Sequence, residues 1–404
     1  MTIAGGDKSF GKYPYELYHE RFAVDYEYPV YFTRDVFARE NGLLGSVLDR
    51  LGESRRHRVI VYVDAGVAEA HPQLVERIKG YFHERPGTLE LCGSPEIIPG
   101  GESAKSSWER VRDVMWTIGN HHLDRQSFVV AVGGGSVLDM VGFATSLVHR
   151  GLRFVRMPTT VLAQCDAGVG VKNGMNEHGM KNFIGTFAPP FAVLNDFSFL
   201  PTLSERDWTG GLSEAFKVAI IKDRELFDFL CENADRLRAR DQGTMETVVH
   251  RTAVLHLEHI RSGGDPFEFG AARPLDFGHW AAHKLESLSG YTIGHGRAVG
   301  VGIAIDSFYA WREGMLTQDE FEAIIDGMTR TGLPIWDELL EARTREGIPV
   351  ILEGLDEFRE HLGGVLTVTL PEGLGRKREV HEMYADVIEE GLGYLKARAG
   401  KAKD

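Results

Sequence analysis

Residues Ser127–Asp139 read SFVVAVGGGSVLD, and this stretch decides the fold. The run Ser127–Val132 has no polar residue on alternate positions after its first. A strand without alternation is covered on both faces, as in the parallel sheet of an α/β domain. It runs into Gly133-Gly134-Gly135, after which a helix opens. Glycines there let a backbone approach a phosphate closely. The helix start offers unpaired N–H groups and the positive end of a dipole. This is a pyrophosphate-binding arrangement. It is not GxGxxG, and it reads equally as a tight strand-to-helix turn.

The same alternation extends outward. Arg58–Val63 (RVIVYV) is a β-branched run ending at Asp64-Ala65-Gly66, followed by a helical pattern from about Ala68 to Phe82. Thr88–Leu91 reads as a strand, Ser106–Asn120 as a helix and Arg153–Met157 as a strand. Strands alternating with helices imply βαβ units. After about Pro201 helical periodicity takes over, at Leu212–Ile221, Arg224–Arg240, Met245–Arg261, His279–Ser289 and Ala298–Glu313. We expect an α/β Rossmann-like domain over 1–205 and a mainly α-helical domain over 206–404, with a site between them.

Composition narrows the function classes. The 404 residues are 43% hydrophobic and 26% charged, the profile of a soluble globular protein. A net charge of −14 disfavours nucleic acid as a partner, because phosphate backbones need a basic surface. The N-terminal residues have no apolar core of a signal peptide, and no apolar run is long enough to span a membrane. Cys92, Cys165 and Cys231 are far apart and lack CxxC spacing, which fits a reducing cytoplasm.

Three further groups carry chemistry. Pro99–Ser106 (PGGESAKS) brings Glu102 and Lys105 to a turn, and Pro158-Thr159-Thr160 follows a strand. Both would lie at the carboxyl ends of strands, where open sheets bind ligands. Asp64 also ends a strand, and suits either a ribose hydroxyl or a helix cap. The segment Ala163–Asn182 is glycine-rich and reads as a long irregular loop carrying Asp166, Lys172, Lys181 and Asn182, residues suited to a phosphate monoester or to a solvated surface. Arg150 adds a cation or caps its helix.

The third group is a candidate metal centre. Glu214 sits on a helix that is apolar on most sides, so its carboxylate needs a partner. His279 and His283 are four apart on one helical face, and His295 begins another helix after a break at Gly290. Two histidines and a glutamate give three ligands and leave a position open for a substrate oxygen. A lone histidine is more often a satisfied core residue, and spacing alone does not say which two bind.

Together these pieces resemble the sugar phosphate cyclases, the family of 3-dehydroquinate synthase. The matching blocks are PGGESAKS, GGGSVLDMVG, RFVRMPTTVLAQCDAGVGVKNG, KNFIGTFAPP, GGLSEAFKVAI, LDFGHWAAHKLE and GHG, in family order between about residues 60 and 300. The resemblance implies a dehydroquinate synthase-like fold. It implies NAD held by Asp64, Glu102, Lys105, Gly134, Gly135, Asp139, Thr159 and Thr160. Zinc or cobalt is expected on Glu214, His279 and His295, with His283 left to face the substrate and its phosphate. Substrate contacts would come from Asp166, Lys172, Lys181, Asn182 and Lys217, with Asp166, Lys172, Lys217, Asp276 and His283 in catalytic roles. Arg150 resembles the family arginine that reaches a neighbouring subunit's phosphate site, which implies a homodimer. The implied chemistry is transient oxidation of a ring hydroxyl by NAD, phosphate elimination, return of the hydride, ring opening and intramolecular aldol closure.

Departures from the pattern bear on the substrate. Dehydroquinate synthases have an asparagine three residues before the first metal histidine, and an arginine four residues before that asparagine, for the substrate carboxylate. Here those positions are Asp276 and Ala272, with Arg273 and Pro274 alongside. An aspartate repels a carboxylate but accepts hydrogen bonds from a polyol. This points to sedoheptulose 7-phosphate. Asp276 together with His283 most resembles the 2-epi-valiolone synthase type, with 2-epi-5-epi-valiolone synthase or 3-dehydroquinate synthase as alternatives. Near the C-terminus, EFREHLGG stands where the family has a lysine-rich segment, so Arg359 or His361 is the candidate for the last phosphate contact. A metal-dependent polyol dehydrogenase shares the glycine turn and the two-domain plan, but needs no phosphate lysines.

Overall fold

A computed structural model describes residues 17–178, 180–263, 267, 275–361 and 363–401. Its centre is a parallel sheet built from β1 (Val30–Thr33), β2 (His57–Asp64), β3 (Leu89–Leu91), β4 (Glu96–Ile98), β5 (Phe128–Gly133), β6 (Arg153–Pro158) and β9 (Ala192–Asp196). Between β6 and β9 the chain forms a separate antiparallel hairpin, β7 (Lys172–Glu177) and β8 (Met180–Phe187). The sheet order is β1-β9-β6-β5-β2-β3, with β4 also paired to β2.

All six residues of β5 are buried. Alternate side chains feed two cores. Phe128, Val130 and Val132 join Val59, Val61, Val63, Val155 and Met157 on one face. Val129 and Ala131 join Ile60, Tyr62 and Phe154 on the other. Each fully buried valine contributes roughly 1.5–3 kcal/mol of transfer free energy, which is why the run accepts no polar residue after Ser127. From β2 the chain first goes outward to β3 and β4, then returns to the other side of β2 as β5. The carboxyl ends of β2 and β5 therefore form the switch point where open α/β sheets bind ligands. Asp64 and the glycine turn end these two strands.

Beyond the sheet the chain is mainly helical, with a third core that includes Trp208, Phe216, Phe277, Trp280, Val299, Ile303 and Phe308. One small hairpin, β10 (Val368–Pro371) with β11 (Lys377–Val380), is the exception among the described residues. Among them no helix is long and apolar enough to cross a membrane.

Several sequence expectations need correction. The helix expected over Ala68–Phe82 is two, Ala65–Ala70 and Leu74–His83, broken at His71 and Pro72. Arg224–Arg240 likewise splits at Asn233 into Arg224–Glu232 and Ala234–Arg238. The start of Ser106–Asn120 belongs to a 3-10 turn, Glu102–Ser106, and the helix proper is Trp108–Asn120. The largest correction concerns Ala163–Asn182, which is not an irregular loop: Val161–Cys165 is helical, and Lys172, Lys181 and Asn182 lie on the β7–β8 hairpin. Arg156 explains the difference. It is fully buried, and its guanidinium donates to the carbonyls of Ala167 (3.0 Å), Gly170 (3.1 Å) and Lys172 (2.7 Å) and to Asn173 Oδ1 (2.7 Å). A polar stretch with little strand propensity is thus shaped from beneath by one cation.

Candidate active site

Three helix starts meet beside the sheet. Glu214 is in the first turn of helix Leu212–Lys222, and His279 and His295 are the first residues of His279–Leu288 and His295–Arg312. Glycine makes the convergence possible. Gly278 adopts φ +79°, and a Cβ on it would lie 2.8 Å from the Ile303 nitrogen. At Gly296 a Cβ would run into the Gly210 carbonyl. Asp306 fastens the Gly278 turn, accepting from Gly278 N–H (2.9 Å) and from the Trp280 indole (2.7 Å).

One ligand atom from each of Glu214, His279 and His295 lies within 4.8 Å of the other two. Glu214 is fully buried, and apart from an ion pair with Lys217 its carboxylate oxygens have no hydrogen-bonding partner. A buried, under-satisfied carboxylate beside two imidazoles is a donor set that could hold a zinc or cobalt ion. Burial lowers the His279 imidazole to about 3, with Lys217 adding to the effect, so it stays neutral and ready to ligate. His283 also falls to about 3 through burial and the neighbouring His279. Its ring centroid is 5.5 Å from that of His279 and 6.4 Å from that of His295.

Around this cluster the charges alternate. Lys217 Nζ is 4.0 Å from Asp166 Oδ1. Burial opposes the Lys217 charge, but Glu214 and Asp166 hold it protonated, above the ordinary lysine value. Burial likewise pushes the Asp166 carboxyl up, yet Lys217 and His256 bring it well below the usual range. Asp276 is partly buried. Burial raises its carboxyl too, but His279, Lys172, His283 and Lys217 around it hold it below the ordinary aspartate value. The site thus keeps an ionised aspartate where the resemblance expects a substrate group.

At the switch point, the helix Gly135–Leu147 starts from Gly134 with no side-chain cap on its first turn. That is the end an anionic pyrophosphate fits. The surrounding polar residues are already joined to one another. Lys105 Nζ meets Asp139 Oδ2 at 2.7 Å and also contacts Asn182 Oδ1. Glu102 accepts from Ser136 (3.0 Å) and Asn176 (2.8 Å). Asp64 caps the next helix through Gly66 N–H (2.8 Å). The Thr160 hydroxyl accepts from Ala163 N–H (3.1 Å), and Thr159 donates its N–H to the Gly133 carbonyl (3.0 Å).

The remaining expectations separate. Lys181 Nζ is 2.5 Å from Glu286 Oε1 and 3.6 Å from Glu102 Oε1, so it links the switch point to the histidine cluster. Arg150 is exposed, on a turn at the far end of the 13-residue helix from the glycines, about 20 Å away at 1.5 Å per residue. Arg359 is exposed and paired with Asp356 at 2.9 Å. Ala272, Arg273, Pro274 and the His361 side chain lie outside the described residues. Sequence reading missed His256, whose Nδ1 is 2.8 Å from Asp166 Oδ1, as well as Glu286, Asp306 and Arg156. On a helix, His256 and Glu286 look like any solvated polar residue, so no local signal singles them out.

The family models described as 3-dehydroquinate synthase N-terminal and C-terminal match residues 96–210 and 211–350. A 2-epi-valiolone synthase of Actinosynnema mirum is 33% identical over 373 residues, covering 92% of this chain and 93% of that protein. A 3-dehydroquinate synthase of Desulforamulus reducens is 32% identical over 374 residues, covering 90% and 95%. The structure of a 2-epi-5-epi-valiolone synthase from Streptomyces hygroscopicus, with NAD+ and Zn2+ bound, superimposes with a TM-score of 0.82 at 29% identity, covering 94% of this chain and 100% of that one. With both family models matched in succession, and relatives above 30% identity aligned over almost their whole length, the chain belongs to the sugar phosphate cyclase family of the 3-dehydroquinate synthase and valiolone synthase type.

Proposed function

We propose that this cyclase converts sedoheptulose 7-phosphate to a C7 cyclitol, with 2-epi-valiolone as the product, using NAD and zinc or cobalt. The observation that carries the substrate reading is Asp276, an aspartate that stays ionised near the Lys172 and Lys217 ammonium groups and beside the candidate metal ligand His279. An anion there accepts hydroxyl hydrogens from a polyol and repels the carboxylate of the dehydroquinate synthase substrate. Relatives with valiolone and dehydroquinate names stand at 33% and 32% identity, so overall likeness does not choose between them.

In this reading Glu214, His279 and His295 hold the metal. Asp64, Glu102, Lys105, Gly134, Gly135, Asp139, Thr159 and Thr160 surround NAD. When bound, the metal supplies Lewis acidity and NAD a reversible hydride acceptor. The Lys217 ammonium stabilises negative charge that develops on the substrate oxygens, and Asp166 keeps that ammonium protonated and aimed. Neutral His283 faces the substrate on the ligand face of its helix. Lys172, Lys181 and Asn182 receive the phosphate, with Arg150 supplied by a second copy in a homodimer. The two domains divide near residue 205, and the site lies where they meet.

The test incubates the protein with NAD and zinc or cobalt, giving it sedoheptulose 7-phosphate in one arm and the seven-carbon carboxylate substrate of dehydroquinate synthase in the other. Phosphate release from sedoheptulose 7-phosphate alone supports the reading, and product NMR then assigns the stereochemistry. Release from the carboxylate substrate alone overturns the substrate assignment. Net NADH from a simple polyol, without phosphate release, would make the protein a dehydrogenase.

A further inference from the structure

Glu286 has no role in the reading above, yet it is among the most withdrawn acids in the protein, 1% exposed. It lies on helix His279–Leu288, two turns after His279 and three residues after His283, so all three share one face. A single oxygen, Oε1, meets two different groups: His295 Nδ1 at 3.2 Å and Lys181 Nζ at 2.5 Å. The other oxygen, Oε2, is buried with no hydrogen-bond partner. On the far side of the same imidazole, His295 Nε2 faces Glu214 Oε1 at 3.8 Å. The opposite face of the helix is tied down by Lys284, which pairs with Glu353 (2.7 Å) and Glu357 (2.6 Å).

We propose that Glu286 is a positioning residue that serves both halves of the site, orienting His295 for the metal and Lys181 for the substrate phosphate. An imidazole that donates Nδ1–H to a carboxylate keeps its Nε2 lone pair free and becomes a better donor to a cation. The same carboxylate fixes the flexible four-carbon stem of Lys181, which otherwise samples many rotamers. A neutral amide in its place keeps the shape and loses the charge that polarises both partners.

This inference rests on the metal reading of Glu214, His279 and His295, and the test separates the two. Zinc affinity is measured by chelator competition on wild type, Glu286→Gln and Glu286→Asp, and the cobalt-loaded proteins are compared by visible absorption. We expect Glu286→Gln to bind zinc about 10- to 100-fold more weakly, with an altered cobalt spectrum and a raised KM for the sugar phosphate. Glu286→Asp retains charge but draws the carboxylate back, and should lose several-fold; it carries the test if the glutamine variant does not fold. A wild type that binds zinc, with both folded variants binding it equally and showing unchanged cobalt spectra, overturns the inference alone. A wild type that takes up no metal overturns the metal reading and this inference with it.

Discussion

Lys217 forms an ion pair with Glu214 one turn earlier on the same helix, and the two side chains are only 2% and 0% exposed. Each charge is tolerable in that position because of the other. Removing one partner of a buried pair typically costs about 3–5 kcal/mol, because an uncompensated charge is left behind. Lys217→Met should therefore destabilise the protein strongly in the presence of a chelator and much less when zinc is supplied. Thermal unfolding with EDTA and with zinc measures the difference. Turnover of the sugar phosphate should fall about 100-fold or more even when the variant is zinc-loaded. Equal melting temperatures in the two media would argue that zinc does not take over the neutralisation of Glu214.

The three histidines should separate by metal content. His279→Ala and His295→Ala each remove a candidate ligand, whereas His283→Ala leaves the Glu214, His279 and His295 group intact. Metal analysis after dialysis should find the first two variants depleted and the third near wild type, with its activity lowered. If His283→Ala loses metal while His295→Ala retains it, the ligand assignment is wrong.

Arg156 should matter for a segment it does not belong to. Its four hydrogen bonds hold the chain from Ala167 to Asn173, which follows Asp166 and includes Lys172. Lysine offers one charged point instead of a planar fork. Arg156→Lys leaves buried carbonyls unpaired, and should cost about 3 kcal/mol in urea denaturation at roughly 1–3 kcal/mol for each orphaned group. A loss within about 0.5 kcal/mol, typical of an exposed site, would mean that the segment holds its shape without the fork.

Asp306 should imprint a pH dependence on stability. Burial raises its carboxyl to about 7, against the opposing hydrogen bonds from Trp280 and Gly278. Between the unfolded value near ~4 and the folded value, the native state holds a proton that the unfolded state releases. Stability from this group therefore falls as pH rises through that window. Comparing wild type with Asp306→Asn at pH 5 and pH 8 isolates the effect, because asparagine does not titrate. Wild type should lose ground to the variant at the higher pH. A constant difference between the two would show that Asp306 does not titrate in that range.

The sequence by itself determined the parallel sheet, because FVVAV has no polar alternation and so demands cover on both faces. It also determined the glycine turn at the end of β5 and the change to helices after about residue 201. Glu214, His279, His283 and His295 were legible as a group of ligand types on helices. What lay beyond local reading has a common cause. The strands β1, β4 and β9 have three to five residues each, too few to show a period, and β1 becomes a strand by pairing with β9 some 160 residues later. The hairpin over Lys172–Phe187 is polar and glycine-rich, and takes its shape above a buried arginine contributed by β6. Glu286, His256 and Asp306 look like ordinary polar helix residues until packing withdraws them from water and leaves each one partner or two. Charge, unlike hydrophobic period, acquires meaning from burial and from what lies across the gap. Tertiary structure alone decided that Glu286 stands between His295 and Lys181.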